Sequence, residues 1–473
     1  MSEKSQSINT LTYTSLEEIE IKVKRQRDFF RNEMSDNIKE RTNALKRLLK
    51  EIESNEDKIM EAMHLDFQKS NFEVFATEIG LIKSELKLAI RKIKKWSSRT
   101  FKGYSILSYP AKLYTETIPL GNTLIFSPWN YPFLLAISPL IGAISAGNTA
   151  IIKPSELTVN TSKLIEDIIK NCFDPGHVDV VQGGKNESET LLEFSFDFIF
   201  FTGSTAIGNS VYKKAAEHLC PVLLELGGKS PCIVHQDADI ETAARRIVWG
   251  KFLNGGQTCV SPDYLLVHKD IKEALLSKIK YYIGKFYGKD ASKSQDYPRI
   301  INQKNFDRLL NLISEARIIS GGKSERDQLY IEPTLIELET TDCLLMQEEI
   351  FGPILPVLSY ESILDINKII GKNPNPLAIY VFTDNEDFAN KLLSENPSGD
   401  ACINDVVSHF GEKKIPVGGI GESGFGKYRG KKSFLVFSHQ RSIFKRRIWP
   451  DLPLRYPPYK NKITLLKGLL NKL

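Results

Sequence analysis

The sequence lacks the cysteine and histidine patterns that brace secreted proteins or hold metal ions. Its six cysteines are scattered without a C-x-x-C pair, and its seven histidines form no metal-spaced cluster. We therefore expect neither a disulfide framework nor a metal site. Residues 1–7 are polar and lack the apolar core of a signal peptide, and sparse cysteine fits a reducing compartment, so a cytoplasmic location is predicted.

The sequence is also poor in net charge for its length. Its 473 residues carry +5 overall, with 41% apolar and 26% charged side chains, as in soluble globular proteins, and no nucleic-acid partner is predicted. Basic charge is concentrated at the C-terminus, where residues 427–473 hold thirteen Lys or Arg and one acid. The remainder, with 50 basic and 57 acidic residues, is mildly acidic.

One stretch has no charged side chain at all. Residues 117–152 contain no Asp, Glu, Lys, Arg or His, and the part from 131 to 152 is long enough to span a bilayer. Pro132, Pro139 and several glycines interrupt it, however. We therefore interpret this stretch as a buried helix between loops rather than as a membrane span.

The order of the apolar segments predicts the fold. Residues 16–96 have the spacing of amphipathic helices with charged faces. From Asn122 onward short apolar strands alternate with helices, and a second region of this kind covers residues 230–396. Apolar strands linked by helices indicate an α/β fold with a parallel sheet covered on both faces, which binds ligands at the carboxyl ends of its strands.

A strand-to-helix turn at residues 202–208 (TGSTAIG) is a candidate phosphate site, because a helix start offers free N–H groups to an anion. Its G-x4-G spacing is not the usual dinucleotide fingerprint, so an ordinary turn stays open as the alternative. The fingerprint G-x-G-x-x-G does occur at residues 419–424. No apolar strand precedes it and no βαβ unit follows, so we reject it as a coenzyme loop.

Residues 252–263 contain the best candidate for a nucleophile. Cys259 follows Gly255 and Gly256 in a polar turn, and glycine lets the backbone approach a reacting group closely. With an ordinary thiol pKa of about 8.5, this cysteine would need little activation. A structural thiol beside a turn is the alternative, which these residues alone do not exclude.

Six short motifs taken together resemble those of the NAD(P)-dependent aldehyde dehydrogenase superfamily. They are residues 127–132 (SPWNYP), 152–156 (IKPSE), 201–205 (FTGST), 224–231 (LELGGKSP), 256–259 (GQTC) and 349–353 (EIFGP). The chain is most similar to the shorter class 3, fatty-aldehyde-type branch, whose C-terminal part residues 418–421 and 430–434 resemble. The resemblance is strongest from about 117 to 441.

The resemblance implies a chemistry for three residues. Cys259 would attack an aldehyde carbonyl, and the side-chain amide of Asn130 with the Cys259 backbone N–H would hold the oxyanion of the thiohemiacetal. Loss of hydride to the nicotinamide would leave a thioester. Glu225 would activate the water that hydrolyses it, and its apolar neighbours would raise its pKa towards neutrality. A salt-bridged acid at a strand end is the alternative for Glu225.

The resemblance also implies contacts to the coenzyme. Lys153 and Glu156 would bind the adenosine ribose and Glu349 the nicotinamide ribose, while Phe351 would pack beside the nicotinamide ring. The pyrophosphate would lie beside Trp129 at the helix start made by Gly203, Ser204, Thr205, Ala206, Ile207 and Gly208. Because an acid at Glu156 hydrogen-bonds a 2′-hydroxyl and repels a 2′-phosphate, we expect NAD, with NADP as the alternative that this branch often tolerates. A surface position is the alternative for Lys153.

The implied architecture is aldehyde-dehydrogenase-like: a Rossmann-type coenzyme domain, an α/β catalytic domain and a small β-element for oligomerisation. We place the NAD(P)-binding domain at residues 1–100 and 118–226, the catalytic domain at 227–400, and the oligomerisation element at 101–117 and 401–445. In that element, strands at 104–118 are expected to pair with the segment around Cys402. The class 3 branch suggests a homodimer.

The final residues, 446–473, form a basic tail. Its apolar residues recur on one helical stripe, with lysines mostly outside it: Ile463, Leu466, Leu469, Leu470 and Leu473. Such a helix fits peripheral contact with the inner face of an anionic membrane and is too short to span it. Packing on its own dimer, or fraying, is the alternative.

Two rival functions stand beside hydrolytic aldehyde oxidation. CoA-dependent acyl transfer or acyl reduction would use the same thioester, although a hydrolytic base at Glu225 counts against it. A non-catalytic binding role would leave Cys259, Glu225 and Asn130 without purpose. The substrates implied by the resemblance are medium- to long-chain aliphatic or aromatic aldehydes, and no motif identifies which one.

Overall fold

The computed structural model describes residues 11–32, 37–104, 110–314, 316–451 and 453–471. The helices are α1 (Leu16–Asn32), α2 (Ile38–Ser54), α3 (Glu56–Phe67), α4 (Asn71–Val74), α5 (Gly80–Trp96), α6 (Pro132–Ala146), α7 (Val159–Cys172), α8 (Lys185–Leu192), α9 (Thr205–Glu217), α10 (Ile240–Phe252), α11 (Lys272–Tyr287), α12 (Gln303–Leu312), α13 (Leu344–Gln347), α14 (Ile363–Ile370), α15 (Glu386–Glu395), α16 (Lys431–Val436) and α17 (Ile463–Leu470). A π-helical turn, Phe75–Ile79, joins α4 to α5.

The strands are β1 (Thr100–Tyr104), β2 (Ala111–Pro119), β3 (Asn122–Phe126), β4 (Thr149–Lys153), β5 (Val178–Val180), β6 (Phe198–Gly203), β7 (Val222–Leu226), β8 (Pro231–Val234), β9 (Tyr264–His268), β10 (Arg317–Ser320), β11 (Ser324–Glu325), β12 (Tyr330–Ile331), β13 (Thr334–Glu337), β14 (Ile354–Tyr360), β15 (Ala378–Phe382), β16 (Asp400–Ile403), β17 (Gly424–Phe425) and β18 (Ser438–Arg446). Except for the two-stranded β11–β12 ribbon, they form three sheets.

The uncharged stretch of the sequence forms strand β3 and the buried helix α6, as predicted. Every residue of α6 is buried, and Gly147 ends the helix in the left-handed region. Helices α2, α5, α7 and α16 pack around it. Among the described residues, no helix has the length and apolar character needed to cross a membrane.

The first sheet has six strands in the order β17-β7-β6-β3-β4-β5, of which only β17 is antiparallel to its neighbour. Strand β3 pairs with β4 on one side and with β6 on the other, so the strand order reverses there. The loops that follow β3 and β6 therefore leave a crevice between them, which is where open parallel sheets bind ligands. The predicted Rossmann-type sheet is confirmed.

The second sheet has seven strands in the order β10-β13-β14-β9-β8-β15-β16, with β10 as the antiparallel edge. Cys259 lies in the segment that leads into β9, and Glu349 lies in the segment that leads into β14. Both side chains line a cavity at the carboxyl edge of the first sheet. Each sheet thus supplies part of one site.

The third sheet is the antiparallel set β1-β2-β18, in which β2 pairs with β18 along its whole length. The prediction that residues 104–118 pair with the segment around Cys402 is wrong. Cys402 lies on β16, beside β15 at the edge of the seven-stranded sheet. A strand pattern shows that a segment pairs, but not with which distant segment. Residues 105–109 lie outside the described part.

The segment 401–445 contributes strands to all three sheets, and the domain boundaries given above stay a prediction. Within it, residues 419–424 are no coenzyme loop, in agreement with the sequence argument. They form a 3-10 turn that leads into β17, which pairs antiparallel with β7 and places Gly424 opposite Glu225. A side chain at Gly424 would collide with the Leu224 carbonyl, so only glycine allows this pairing.

Candidate active site

Two cavities meet at Cys259. One, of about 490 Å³, is lined by residues from both large sheets, among them Trp129, Asn130, Thr202, Gly203, Ser204, Glu225, Cys259, Glu349 and Phe351. The other, of about 380 Å³, is largely apolar and is lined by residues that include Leu81, Tyr131, Leu134, Leu135, Trp249, Leu253, Cys259, Val407 and Phe410. We call them the polar cavity and the apolar cavity. A thiol at their junction can react with groups that enter from either side.

The turn that carries Cys259 is shaped by left-handed backbone. After helix α10, Asn254, Gly255 and Gly256 have φ values of +53°, +62° and +75°. Gly256 lies so close to the carbonyl of Gly352 that any side chain there would collide with it. This contact requires glycine and presses the turn against the loop that leads into β14.

Cys259 is half-buried at the junction of the two cavities. Burial raises its pKa well above the usual value, and the carboxylates of Glu225 and Glu349 raise it further. Backbone N–H groups of Cys259 and Val260 offset this only in part. The expectation of an ordinary pKa is therefore wrong, because the burial comes from distant segments that the local pattern does not reveal.

Glu225 lies near the end of β7, where 1% of its surface is exposed, and its side chain lines the polar cavity. The hydroxyl of Thr202 on β6 donates a hydrogen bond to it at 3.4 Å. Burial raises its pKa to about 7, an effect that Tyr428, Arg429 and Thr202 reduce. The predicted shift towards neutrality is confirmed, and no cation among the described residues forms an ion pair with this carboxylate.

Asn130 follows β3 at the point where the strand order reverses. It is buried and lines the polar cavity together with Glu225 and Cys259. The structure therefore brings together the three residues that the sequence singled out. Their assigned roles stay a prediction at this point.

The polar cavity fits a dinucleotide at the start of helix α9. The N-cap residue Ser204 makes no side-chain hydrogen bond to the helix, so it leaves the first N–H groups of the helix to other acceptors. Gly203, Ser204, Thr205 and Ala206 line the cavity there. A pyrophosphate bound at this position would receive those N–H groups and the positive end of the helix dipole.

The other two residues assigned to this turn lie outside the cavity lining. Ile207 points to solvent with 58% of its surface exposed. Gly208 is buried, and a side chain there would collide with Leu226 of β7. The second glycine of the G-x4-G pattern therefore serves the packing of α9 on the sheet, whereas the first lies at the ligand turn.

Two cations, the buried Lys229 and the partly exposed Arg308, hold the segment that carries Glu349. Lys229 forms an ion pair with Asp263, whose other oxygen accepts the N–H of Ile350 at 3.0 Å. Arg308 donates to the carbonyl oxygens of Glu349 and Ile350, at 3.2 and 2.6 Å. A side chain on Gly227 would collide with the Glu349 carboxylate, which therefore lies directly over the backbone after β7. Such a carboxylate is well placed to accept ribose hydroxyls.

Two aromatic side chains that line the polar cavity contact each other. The rings of Trp129 and Phe351 make an edge-to-face contact with centroids 5.2 Å apart. Phe351 has a φ of +50°, which a bulky residue rarely adopts. Both rings line the cavity in which the coenzyme is expected to bind, and their assigned contacts to it stay a prediction.

Lys153 and Glu156 lie at the carboxyl end of β4, outside the lining of the polar cavity. The Lys153 Nζ and a Glu156 carboxylate oxygen are 3.1 Å apart. Burial lowers the pKa of Lys153, while Glu156 and Glu187 counteract this. The alternative of a surface lysine is wrong, since 5% of Lys153 is exposed. The pair borders the same sheet edge as the pyrophosphate turn, as contacts to an adenosine ribose require.

The apolar cavity was not visible in the sequence. Its walls come from the Phe75–Ile79 π-turn, from α5, α6 and α10, and from the loop after β16. Asn305 and Arg308, which line the polar cavity, were missed as well. Apart from Tyr131, Thr258 and Cys259, these residues lie outside the six motifs, and only tertiary packing brings them to Cys259.

Comparison with known proteins agrees with this geometry. Residues 3–443 match the aldehyde dehydrogenase family. The chain is 43% identical to 4,4′-diaponeurosporen-aldehyde dehydrogenase of Staphylococcus aureus, over 93% of this chain and 96% of that protein. It is 41% identical to a dimeric NADP-preferring aldehyde dehydrogenase of Canis lupus familiaris, over 89% and 93% of the two chains.

A solved structure of Staphylococcus aureus AldH in a substrate-bound state is also similar. It superposes with a TM-score of 0.94 at 43% identity, covering 96% of this chain and 99% of that one. The similarity thus extends over both large sheets and the site between them.

Proposed function

This chain belongs to the aldehyde dehydrogenase family, and from that premise we propose that its substrates are medium- to long-chain aliphatic or aromatic aldehydes. The reaction is the NAD(P)-dependent oxidation of an aldehyde to a carboxylic acid. The observation that carries the substrate class is the apolar cavity, which ends at the Cys259 thiol opposite the coenzyme side. An apolar chain held there would present its carbonyl carbon to the sulfur.

In the first step that we propose, the sulfur of Cys259 bonds to the carbonyl carbon and the carbonyl oxygen becomes an oxyanion. The thiol proton leaves through the polar cavity. The Asn130 amide and the Cys259 backbone N–H stabilise the oxyanion, because fixed donors in a water-poor site act on charge as it develops. NAD(P)+ bound in the polar cavity supplies the hydride acceptor and a positive charge that favours the thiolate.

In the second step, the oxyanion collapses to a carbonyl as the C–H bond breaks and the carbon gives up a hydride, for which the bound coenzyme would be the acceptor. Cys259 then carries the acyl group as a thioester. Glu225 takes a proton from water, whose oxygen attacks the thioester carbon, and the carbon–sulfur bond breaks to release the acid. A base with a pKa of about 7 is well matched to this task at neutral pH. Lys153 and Glu156 would bind the adenosine ribose, and the acid at Glu156 favours NAD over NADP.

The apolar cavity predicts a rise in specificity with chain length. Each buried methylene contributes ~0.8 kcal/mol, so kcat/KM should rise about fourfold per carbon until the cavity is filled. NADH formation with propanal, hexanal, octanal and dodecanal measures this. A flat profile would contradict the proposed substrate class.

A substitution in the wall of the apolar cavity tests the same prediction. Leu81→Trp places a bulky indole ring in the cavity wall, where it should displace about two methylenes of a long substrate. We therefore expect kcat/KM to fall about tenfold for dodecanal and to change little for propanal. Leu88→Trp, on the same helix but outside the cavity lining, is the matched control. An equal loss for both aldehydes would point to a general packing defect.

The rival chemistry on the same thioester is CoA-dependent. Glu225, buried in the polar cavity with a pKa near neutrality, favours hydrolysis instead. Product analysis with and without CoA separates the two: hydrolysis gives the free acid in both cases. We further propose a homodimer in the cytoplasm, in line with the dimeric relative.

The basic tail carries a separate proposal, peripheral contact with an anionic membrane. Helix α17 exposes Ile463, Leu465, Leu466 and Leu470, and Lys462 and Lys467 flank this apolar face. Leu473 of the predicted stripe lies outside the described residues, as does the side chain of Leu469. In such a contact, the free energy of burying the apolar side chains and the attraction of the lysines to acidic headgroups would both favour binding.

Co-sedimentation with anionic liposomes tests the tail. Removal of residues 459–473 should lower the partition coefficient onto these liposomes at low salt by about 10³, since it deletes this helix and four lysines that each contribute ~1 kcal/mol near such a surface. Liposomes of zwitterionic lipid are the control and should bind both forms weakly. Equal binding of the full chain and the truncated chain to anionic liposomes would refute membrane contact.

A further inference from the structure

Asn254 joins the two loops that supply the donors of the proposed oxyanion site. Its side-chain Nδ2 donates to the backbone carbonyl of Asn130 at 2.8 Å and to that of Gln257 at 3.1 Å. The first bond reaches the residue whose amide is proposed to hold the oxyanion. The second reaches the turn two residues before Cys259, whose backbone N–H is the other donor.

The position of Asn254 is itself fixed. The residue is fully buried and left-handed, with φ +53° and ψ +28°, a conformation that asparagine tolerates better than most residues. Its backbone N–H donates to the Glu73 carboxylate at 2.9 Å. An amide held by its own backbone and aimed at two carbonyls is oriented before any substrate arrives.

Other hydrogen bonds that hold the segment after Asn130 do not involve Asn130 itself. The Tyr131 hydroxyl and the Thr258 hydroxyl are 2.7 Å apart, and the Glu78 carboxylate accepts the N–H groups of Phe133 and Leu134, each at 3.0 Å. These bonds hold the start of α6. Among the described residues, Asn254 alone bonds to Asn130 from the side of the cysteine turn.

We propose that Asn254 is a positioning residue, which sets the spacing between the Asn130 amide and the Cys259 N–H so that both reach one carbonyl oxygen. The inference rests on the proposed chemistry of Cys259. Two donors act together only if their separation matches the single atom they bind, and a shift of about 1 Å costs about 10² in rate. Asn254 touches neither substrate nor coenzyme, so its loss should affect the acylation step and not coenzyme binding.

The test uses two variants of the full chain. Asn254→Gly permits the same left-handed backbone and removes both side-chain hydrogen bonds. Asn254→Asp keeps the side-chain volume but presents an oxygen, which cannot donate, to the two carbonyls. Each should slow the pre-steady-state burst of NADH about 10²-fold while the dissociation constant of NAD+ stays within about twofold. Asn375→Gly, at another left-handed asparagine remote from both cavities, is the matched control and should change nothing.

Thiol modification separates positioning from a general collapse of the turn. Methyl methanethiosulfonate reacts with the Cys259 sulfur without forming an oxyanion, so its rate should stay within about threefold of wild type in both variants. If modification slows as much as the burst, or if both variants fail to fold, Asn254 is structural and the proposal is overturned. An unchanged burst overturns it as well.

A double-mutant cycle completes the test. Asn130→Ala should slow the burst by about 10²–10³, and adding Asn254→Gly to it should cost less than about twofold more, because Asn254 acts through Asn130. Additive losses would contradict this. If wild type forms no NADH that depends on Cys259, the proposed function fails. If it does and the cycle is additive, only the positioning role of Asn254 fails.

Discussion

Cys259→Ala is expected to lower kcat/KM for aldehyde oxidation by about 10⁵-fold or more, because no other group can carry the acyl chain. Loss of a covalent nucleophile typically leaves only the rate that binding and oxyanion stabilisation provide. The polar cavity stays intact without the sulfur, so the dissociation constant of NAD+ should change less than about threefold. NADH formation and coenzyme titration measure the two effects.

Cys402→Ala is the matched control for this experiment. The Cys402 sulfur lies 3.2 Å from the His409 Nδ1, a geometry that resembles an activated thiol. Cys402 lines neither cavity, however, and burial raises its pKa to about 12. Activity within about twofold of wild type is expected. Retained activity in Cys259→Ala, or a loss of similar size in Cys402→Ala, would refute the assignment of the nucleophile.

Glu225→Gln is expected to stop turnover at the thioester. Loss of a general base typically costs about 10²–10⁴ in rate, so kcat should fall by that amount while a burst of about one NADH per site persists. The glutamine keeps the shape of the buried side chain and its hydrogen bond from Thr202. Rapid quenching followed by intact mass measurement should show the protein with one acyl group attached.

The pH profile gives a second view of the same carboxylate. Glu225 acts as a base only when it is deprotonated, and burial raises its pKa to about 7. When hydrolysis limits turnover, kcat should therefore rise with pH up to about 7 and level off above it. The rise should vanish in Glu225→Gln. A profile that keeps its midpoint in this variant, or a variant that loses the burst entirely, would assign the base elsewhere.

Much of the site could be predicted because its main residues belong to short sequence motifs. Cys259, Glu225 and Asn130 each belong to a motif, and the structure places all three around one cavity. Asn254 and the apolar cavity could not be predicted in this way. Their meaning depends on contacts between segments far apart in the chain, such as the bond from Asn254 to the Asn130 carbonyl.

The errors have a similar physical origin. Strand β2 was assigned to the wrong partner because a β-pattern encodes the tendency to pair but not the choice among distant segments. The pKa of Cys259 was expected to be ordinary because a polar, glycine-rich turn looks exposed, whereas packing buries its thiol. The alternation of strands and helices predicted the two large sheets well, since those connections are local.

The placement of β17 has a consequence for how the protein is made. Glu225 is synthesised before the midpoint of the chain, but its neighbours Gly424, Tyr428 and Arg429 leave the ribosome among the last residues. Until they arrive, one side of β7 is an open edge and the carboxylate faces water, where its pKa would stay acidic. A chain that lacks residues 424–429 is therefore expected to hold Glu225 at an open sheet edge, without the neighbours it has in the complete fold.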